Sequence, residues 1–225
     1  MISLRPYQND AVAGVRAAYT RVRNPLLVLP TGGGKTVIFS YLAQRISSAG
    51  KRVMILAHRD ELLEQIHASL RNFRVLAQIV SGGMSYDRRY RVHVASVFTI
   101  ARRLAAIELP DYLIIDEAHH VTPDTVWGKV IAGLSEAYAA ANPGQVMRVL
   151  GVTATPCRLS GEGLGESFGE MVLGPTPAQL IEAGWLSQYR MFQPPPDERI
   201  DMSFAKSRAG DYRDADVNDA IERNK

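Results

Sequence analysis

A glycine-rich turn near the N-terminus constrains the fold of this chain more than any other sequence feature. Four apolar residues, 26–29, precede the turn at residues 30–34, and a segment of helical periodicity, Lys35–Ser48, follows it. A phosphate-binding loop requires this order of strand, turn and helix. The sequence therefore predicts a buried strand that ends in a loop, with the next helix beginning directly after the loop.

The residue types in the turn suit the binding of phosphate groups. The turn contains a threonine followed by three glycines: Thr31, Gly32, Gly33 and Gly34. Glycines let backbone N–H groups converge on phosphate oxygens, while Lys35 would neutralise the terminal phosphates and Thr36 would offer its hydroxyl to Mg²⁺. Leu29 occupies the first position of the G-x-x-x-x-G-K-T pattern, so the match is not literal. A flexible turn with a solvated lysine is the alternative, and the coincidence of all four features argues against it.

A second motif follows another apolar run. Residues 112–115 are apolar, and Asp116 and Glu117 come directly after them. Asp116 would hold Mg²⁺, directly or through water, and Glu117 would orient and deprotonate the water that attacks the γ-phosphate. The alternative is an acidic start to the next helix, which favours the helix dipole. Because a phosphate loop lies upstream, we favour the interpretation in which both motifs meet at one nucleotide.

The spacing of apolar runs predicts an α/β fold with a mostly parallel central sheet between two layers of helices. The predicted strands are residues 26–29, 52–57, 75–80, 93–96, 112–115, 147–152 and 188–192. The predicted helices are approximately residues 7–21, 35–48, 60–73, 97–105, 123–141 and 177–183. Residues 1–192 are predicted to form one domain. The proline-rich and then charged segment 193–225 is predicted to be a linker.

Composition excludes several classes of protein. The chain has 225 residues, of which 46% are hydrophobic and 22% charged, so it can bury a core. Its net charge of +3 permits nucleic-acid binding but does not indicate it. The single cysteine, Cys157, excludes an internal disulfide framework, and the N-terminus does not resemble a signal peptide, so we expect a cytoplasmic protein. No apolar run reaches the roughly 20 residues of a membrane span.

Together with Thr153-Ala154-Thr155-Pro156, the two motifs resemble the first RecA-like domain of superfamily 2 helicases of the DEAD/DEAH-box kind, in the restriction-subunit-like group. Further matches run in the family's order: residues 4–8 resemble its adenine-reading motif, and residues 55–62 its motif Ia. Two later segments, 177–186 and 196–202, are similar to RadD-type repair ATPases and their phage-encoded relatives. The resemblance implies a RecA-like P-loop NTPase fold, the cofactors ATP and Mg²⁺, and a nucleic-acid partner; between the two nucleic acids we favour DNA over RNA.

The resemblance also assigns residues. It places Gln8 against adenine, and a carboxamide can donate to and accept from the N6/N7 edge, so ATP should be preferred to GTP. Arg5 and Tyr7 would stack on the base, although a plain core position for Tyr7 is equally compatible with the sequence. His119 belongs to the Asp-Glu-Ala-His motif and joins Lys35, Asp116 and Glu117 as a catalytic candidate. Two threonines would lie beside His119 and couple hydrolysis to motion, namely Thr153 and Thr155.

Nucleic-acid contacts follow from the same resemblance. The expected residues are Arg59, Gly82, Ser96 and Thr99, in loops that follow other strands. A cation, small hydroxyls and backbone N–H groups would hold the phosphate backbone without reading bases. The basic cluster at residues 87–91 is compatible with the same role, but we favour a solvated edge. Trp127 and Trp185 are predicted to lie in the core.

The sequence therefore predicts an ATP-dependent helicase or translocase motor domain. Nothing from Cys157 to Lys225 resembles the motif by which a second RecA-like domain supplies an arginine finger, so weak activity of these residues alone is expected. The alternative is a non-catalytic nucleic-acid- or protein-binding fragment of a split motor. A P-loop kinase is disfavoured because Glu117 follows Asp116 directly.

Overall fold

The computed structural model describes residues 3–156 and 163–189, and the backbone of residues 207–208 and 211–212. The helices are α1 (Pro6–Ala18), α2 (Lys35–Ser48), α3 (Asp60–Asn72), α4 (Val97–Ala101), α5 (Val126–Ala141) and α6 (Pro177–Glu182), with short 3₁₀ turns at Leu104–Ala106 and Ala118–His120. The strands are β1 (Pro25–Val28), β2 (Val53–Ala57), β3 (Ala77–Val80), β4 (Val92–Ser96), β5 (Tyr112–Asp116), β6 (Arg148–Thr153) and β7 (Glu170–Leu173). A further antiparallel pair joins Ser207–Arg208 to Asp211–Tyr212.

The strands β1 to β7 form one sheet in the order β3-β4-β2-β5-β6-β1-β7, and every neighbouring pair is parallel. Because all the strands run in one direction, the loops that follow them meet at one edge of the sheet. β6 lies between β1 and β5. The phosphate loop and the Asp116–Glu117 pair therefore lie on either side of the β6 strand end.

The sheet carries one core on each face, which confirms the predicted three-layer α/β/α architecture. On one face, Leu27 and Ile114 pack with residues of α1, α2 and α3. On the other face, Leu26 and Ile115 pack with residues of α4 and α5. Strand residues alternate between the two cores, as a sheet buried on both faces requires. In β6 the core needs a glycine, because a Cβ on Gly151 would lie 2.4 Å from the Phe168 ring.

One observed strand was not predicted, and two predictions are wrong in the described residues: the start of strand 188–192 and the burial of Trp185. The edge strand β7 was not predicted, because its side chains Met171 and Leu173 are exposed and the run is not continuously apolar. Gln188 and Tyr189, the start of the predicted strand 188–192, do not form a strand, and residues 190–192 lie outside the described part of the chain. Trp127 is buried as expected, whereas Trp185 is 40% exposed and is not a core residue.

Smaller differences occur at helix ends. α5 begins at Val126 rather than at residue 123, because the Thr125 side chain caps it by accepting from the Gly128 amide. α4 ends at Ala101 and is followed by a separate 3₁₀ turn. In the described part of the chain, none of the helices has both the length and the apolar character that crossing a membrane requires.

Candidate functional site

The phosphate-loop candidate joins β1 to α2 at the carboxyl edge of the sheet. Gly32 and Gly34 have φ of +78° and +81°, values that favour glycine over other residues. The loop closes on itself through a hydrogen bond of 2.9 Å from the Gly33 amide to the Pro30 carbonyl oxygen. Lys35 opens α2, and its Nζ donates to the Leu29 carbonyl oxygen at 3.5 Å. The lysine side chain thus lies back across the loop.

Asp116 is the last residue of β5 and is only 7% exposed. Its Oδ1 accepts a hydrogen bond of 3.1 Å from the Glu117 amide. Glu117 itself has φ of +51°, a left-handed conformation that is unusual for a residue other than glycine. Such backbone strain clusters at functional sites, where the surrounding structure holds it in place. Here the turn at Glu117 directs two adjacent carboxylates into the same region.

Burial, and next the nearby charge of Glu117, raises the pKa of Asp116 to about 6. The Glu117 amide and the Lys35 cation act in the opposite direction. A buried carboxylate whose negative charge is incompletely compensated is a suitable ligand for a hard divalent cation, because Mg²⁺ prefers oxygen ligands. The carboxylate of Asp116 therefore fits the expected metal, and the Thr36 hydroxyl at the start of α2 is the second protein candidate.

Replacing Asp116 with asparagine should change how the stability of the Mg²⁺-free chain depends on pH. Because the pKa of Asp116 is raised in the folded state, its protonation contributes stability below about pH 4, and this contribution is lost as pH rises through about 6. Between these two pH values, the free energy of unfolding of the wild type should therefore fall by about 2–3 kcal/mol relative to that of Asp116→Asn. Unfolding in EDTA at several pH values measures this difference. A difference that does not change with pH would contradict the assignment.

His119 connects β5 to β6. Its Nδ1 lies 3.0 Å from Thr153 Oγ1 and 3.3 Å from Glu117 Oε2. The Thr153 hydroxyl is buried at the end of β6 and accepts a hydrogen bond of 3.1 Å from the Thr155 amide. The structure thus places Thr153 beside His119, and Thr155 is linked to His119 only through its hydrogen bond to Thr153. A displacement of the β6 loop would change the surroundings of Glu117 through His119.

A row of histidines extends from this site, and sequence reasoning did not find it. The ring centroids of His119 and His120 are 4.2 Å apart, and those of His120 and His58 are 5.2 Å apart. Burial, followed by the charge of Arg59, lowers the pKa of His58. The row leads from Glu117 towards Arg59, which is the first of the expected nucleic-acid contacts.

The adenine-reading candidates pack directly on the phosphate loop. Gln8 is buried in the first turn of α1, and its Oε1 accepts a hydrogen bond of 2.9 Å from the Arg5 amide. Its Nε2 lies over Gly34, where an added Cβ would approach it to 2.4 Å. The Tyr7 hydroxyl donates to the Gly33 carbonyl oxygen at 3.0 Å. The residues assigned to the base and those assigned to the phosphates therefore form one continuous surface.

Trp185 belongs to this surface, contrary to the prediction that it lies in the core. The Arg5 guanidinium carbon lies 4.8 Å from the centre of the Trp185 ring. The Tyr7 ring is 6.3 Å from the same ring, at an angle of 56°. The sequence offered no periodic signal for this contact, because Arg5 and Trp185 are 180 positions apart.

The expected nucleic-acid residues lie at the carboxyl ends of three strands, at the same edge of the sheet, but only Arg59 and Gly82 are in loops as predicted. Ser96 is the last residue of β4, and Thr99 lies in α4. Side chains connect these strand ends: Ser81 Oγ donates to Asp60 Oδ1 at 2.7 Å, and the Gly82 amide donates to Thr99 Oγ1 at 3.1 Å. Arg59 is exposed, whereas Ser96 and Thr99 are each 7% exposed. Thr99 therefore shapes the Gly82 loop, and Arg59 and Gly82 are the more accessible candidates.

The basic cluster at residues 87–91 lies away from this edge, ahead of β4. Arg89 is exposed and pairs with Asp87 at 2.7 Å, and Arg91 donates to the Gly50 carbonyl oxygen. These contacts are those of a solvated edge, which was the favoured interpretation.

Comparison with known proteins places the chain in a family. Residues 1–158 match the family described as the Type III restriction enzyme, res subunit. A 51.5 kDa protein of a Lactococcus phage is 33% identical over 85% of this chain and 37% of its own length. The putative mitochondrial ATP-dependent helicase irc3 of Schizosaccharomyces pombe is 29% identical over 82% of this chain and 31% of its own length. The chain thus spans about a third of these relatives.

Solved structures show the same fold. One match is the Type ISP restriction-modification enzyme LlaGI, solved with a DNA substrate mimic. The match covers 82% of this chain and 21% of the LlaGI chain, with a TM-score of 0.63 and 17% identity. The Hef helicase domain of Pyrococcus furiosus matches 76% of this chain and 38% of its own, with a TM-score of 0.57 and 25% identity. The chain belongs to the family of the Type III restriction enzyme res subunit, and it comprises an N-terminal RecA-like domain of the superfamily 2 helicases.

Proposed function

We propose that this chain binds Mg·ATP at the carboxyl edge of its sheet and hydrolyses it in response to nucleic acid, as the first half of a helicase or translocase motor. One observation supports this proposal above all: the Arg5–Gln8 turn, the phosphate loop and the Asp116–Glu117 pair converge at one edge of the sheet. Elements distant in the sequence would thus supply the base, phosphate and metal contacts of a single nucleotide.

Each residue has a proposed role in that site. The amides of Gly32, Gly33 and Gly34, with those of Thr31 and Lys35, bind the phosphates, and the Lys35 ammonium balances their charge. Thr36 and Asp116 hold Mg²⁺, which when bound stabilises negative charge on the phosphate oxygens. Glu117 accepts the proton of the attacking water.

On the base side, Gln8 selects adenine and Arg5 lies against the ring. The Gln8 Nε2 can donate to N7, and the second lone pair of its Oε1 can accept from the N6 amino group, which guanine replaces with an acceptor oxygen. Its Oε1 already accepts from the Arg5 amide, so the carboxamide is fixed in orientation. A fixed orientation lets the side chain discriminate ATP from GTP, because a mismatched partner leaves a buried polar group unpaired.

Nucleic acid is proposed to bind at the three connected strand ends through Arg59, Gly82, Ser96 and Thr99. Contacts of this type hold the phosphate backbone and leave bases unread, as a translocating motor requires. We favour DNA over RNA, since the structurally similar LlaGI was solved with a DNA substrate mimic. His119, Thr153 and Thr155 would transmit the nucleotide state to the β6 loop.

Residues 1–192 are proposed to form the ATP-binding domain, with residues 193–225 leading towards a second RecA-like domain. In other phosphoryl-transfer enzymes an arginine finger contributes about 10³–10⁵ to the rate. We assign none of these 225 residues to that role, so we expect them to bind ATP, to turn it over slowly and not to unwind a duplex.

An ATP-turnover assay with single-stranded DNA, with RNA and with neither tests the proposal. We expect slow hydrolysis that DNA stimulates more than RNA, no duplex unwinding, and weaker use of GTP. Binding of nucleic acid without any hydrolysis of ATP would instead support the non-catalytic fragment. Efficient unwinding by the purified monomer would contradict the need for a second domain.

A further inference from the structure

We infer that Trp185 is a positioning residue of the nucleotide site, which holds the Arg5 guanidinium in place for the adenine base, and that the adjacent Leu186 supports the phosphate loop. This inference rests on the proposed ATP site and extends it to a segment at the far end of the domain. Neither residue belongs to the motifs that the sequence assigned to nucleotide binding. Both follow α6, the last helix of the described domain.

The end of α6 fixes the backbone of these two residues. Gly184 has φ of +72°, and its amide donates to the Ile181 carbonyl oxygen at 3.0 Å. The Trp185 amide donates to the Leu180 carbonyl oxygen at 2.8 Å, which completes a Schellman motif. Because the Leu180 side chain is buried in the domain, this cap holds the segment against the protein body. Trp185 therefore occupies a defined position although its side chain is partly exposed.

Trp185 contacts Arg5 in two ways. The guanidinium carbon lies 4.8 Å from the centre of the indole ring, within the range of a cation–π interaction. One guanidinium nitrogen also donates to the Trp185 carbonyl oxygen at 3.5 Å, and to the Tyr7 hydroxyl at 3.4 Å. An exposed arginine otherwise samples many rotamers, and fixing it costs conformational entropy when a ligand binds. Because the contacts with Trp185 already restrict the Arg5 side chain, less conformational entropy is lost when ATP binds.

Leu186 contacts the phosphate side of the same site. A Cβ on Gly32 would lie 2.8 Å from Leu186 Cδ2, so the leucine methyl covers the loop at this glycine. The two adjacent residues thus contact different parts of the site: Trp185 contacts the base-side arginine, and Leu186 contacts the phosphate loop. This division predicts that substitutions at the two positions affect different parts of the ligand.

The test compares the affinities of the 225-residue chain for Mg·ATP and for Mg·tripolyphosphate, which lacks the base. Trp185→Ala should weaken ATP binding about 3- to 30-fold, the range that a cation–π contact provides, and leave tripolyphosphate binding unchanged. Trp185→Phe should restore most of the loss, because a phenyl ring retains the interaction. Leu186→Ala should weaken both ligands by the same factor. Tyr189→Ala is the matched control, since Tyr189 is an exposed aromatic residue of the same segment.

Intrinsic fluorescence provides a second readout. The chain contains two tryptophans, and Trp127 is buried in the core on the other face of the sheet. ATP should change the emission of the wild type, whereas Trp185→Phe should retain binding and lose the change. Tripolyphosphate should give a smaller change than ATP.

The inference is wrong if Trp185→Ala binds ATP as tightly as the wild type and Tyr189→Ala do. It is also wrong if Trp185→Ala weakens ATP and tripolyphosphate equally, because the tryptophan would then only support the fold. If the wild type itself binds neither ligand, the proposed ATP site fails first. Measuring the wild type with both ligands therefore separates the two failures.

Discussion

Replacing Glu117 with glutamine should lower the ATP-turnover rate about 10²- to 10⁴-fold and leave the affinity for Mg·ATP nearly unchanged. Glutamine has the same length but cannot take a proton from water. It also keeps a group near His119 Nδ1, which lies 3.3 Å from the Glu117 carboxylate. Binding contacts made by Gln8, the phosphate loop and Asp116 remain in place, so the loss should be confined to the chemical step.

The measurement is single-turnover hydrolysis in the presence of DNA, with ATP affinity determined separately. Glu136→Gln is a suitable control, because Glu136 is an exposed residue on α5 and has no assigned contact with the site. The control should hydrolyse ATP as the wild type does. Hydrolysis by Glu117→Gln at the rate of the control would show that another group activates the water.

Replacing Gly34 with alanine should weaken ATP binding about 5- to 150-fold, the effect of losing a hydrogen bond to a buried polar group. The alanine Cβ would lie 2.4 Å from Gln8 Nε2, so the carboxamide must move away from the position proposed to recognise adenine. The φ of +81° at this position adds backbone strain of about 1–2 kcal/mol. The substitution therefore affects both the stability of the chain and its nucleotide site.

Gly50→Ala separates these two effects. Gly50 also has φ of +81°, but nothing lies within 4 Å of the Cβ that alanine would add. Both variants should lose the thermal stability that the strained backbone costs, Gly34→Ala somewhat more because Gln8 must also move, and only Gly34→Ala should lose ATP affinity. If the two variants bind ATP with equal affinity, the position of Gln8 over the loop does not determine ATP binding.

The sequence predicted the central strands well because their physical signal is strong. β2 is buried at every position and appears as a continuous apolar run, so the predicted strand overlaps the observed one closely. β4 is buried to the same extent, although it contains His93 and Ser96. β7 has no such signal, since it is a short edge strand with Met171 and Leu173 exposed. Its position depends on pairing with β1, which is a tertiary contact that local sequence does not encode.

The sequence predicted those residues of the candidate site that belong to local motifs. Strand ends located Lys35, Asp116 and Glu117, and the family resemblance placed Thr153 beside His119, where the structure has it. Trp185 was missed, because its partner Arg5 is 180 positions away and an isolated tryptophan most often indicates a core position. The left-handed backbone at Glu117 was also not foreseen, since glutamate rarely adopts a positive φ and its residue type gives no signal for it.

Titration of the wild-type chain with ATP by calorimetry, with Mg²⁺ and with EDTA, tests the central claim most directly. The account predicts one ATP bound per chain, with binding that is markedly weaker in EDTA and weaker for GTP under either condition. Absence of binding, or an affinity independent of both Mg²⁺ and the base, would show that the phosphate loop, Asp116 and Gln8 do not form one nucleotide site.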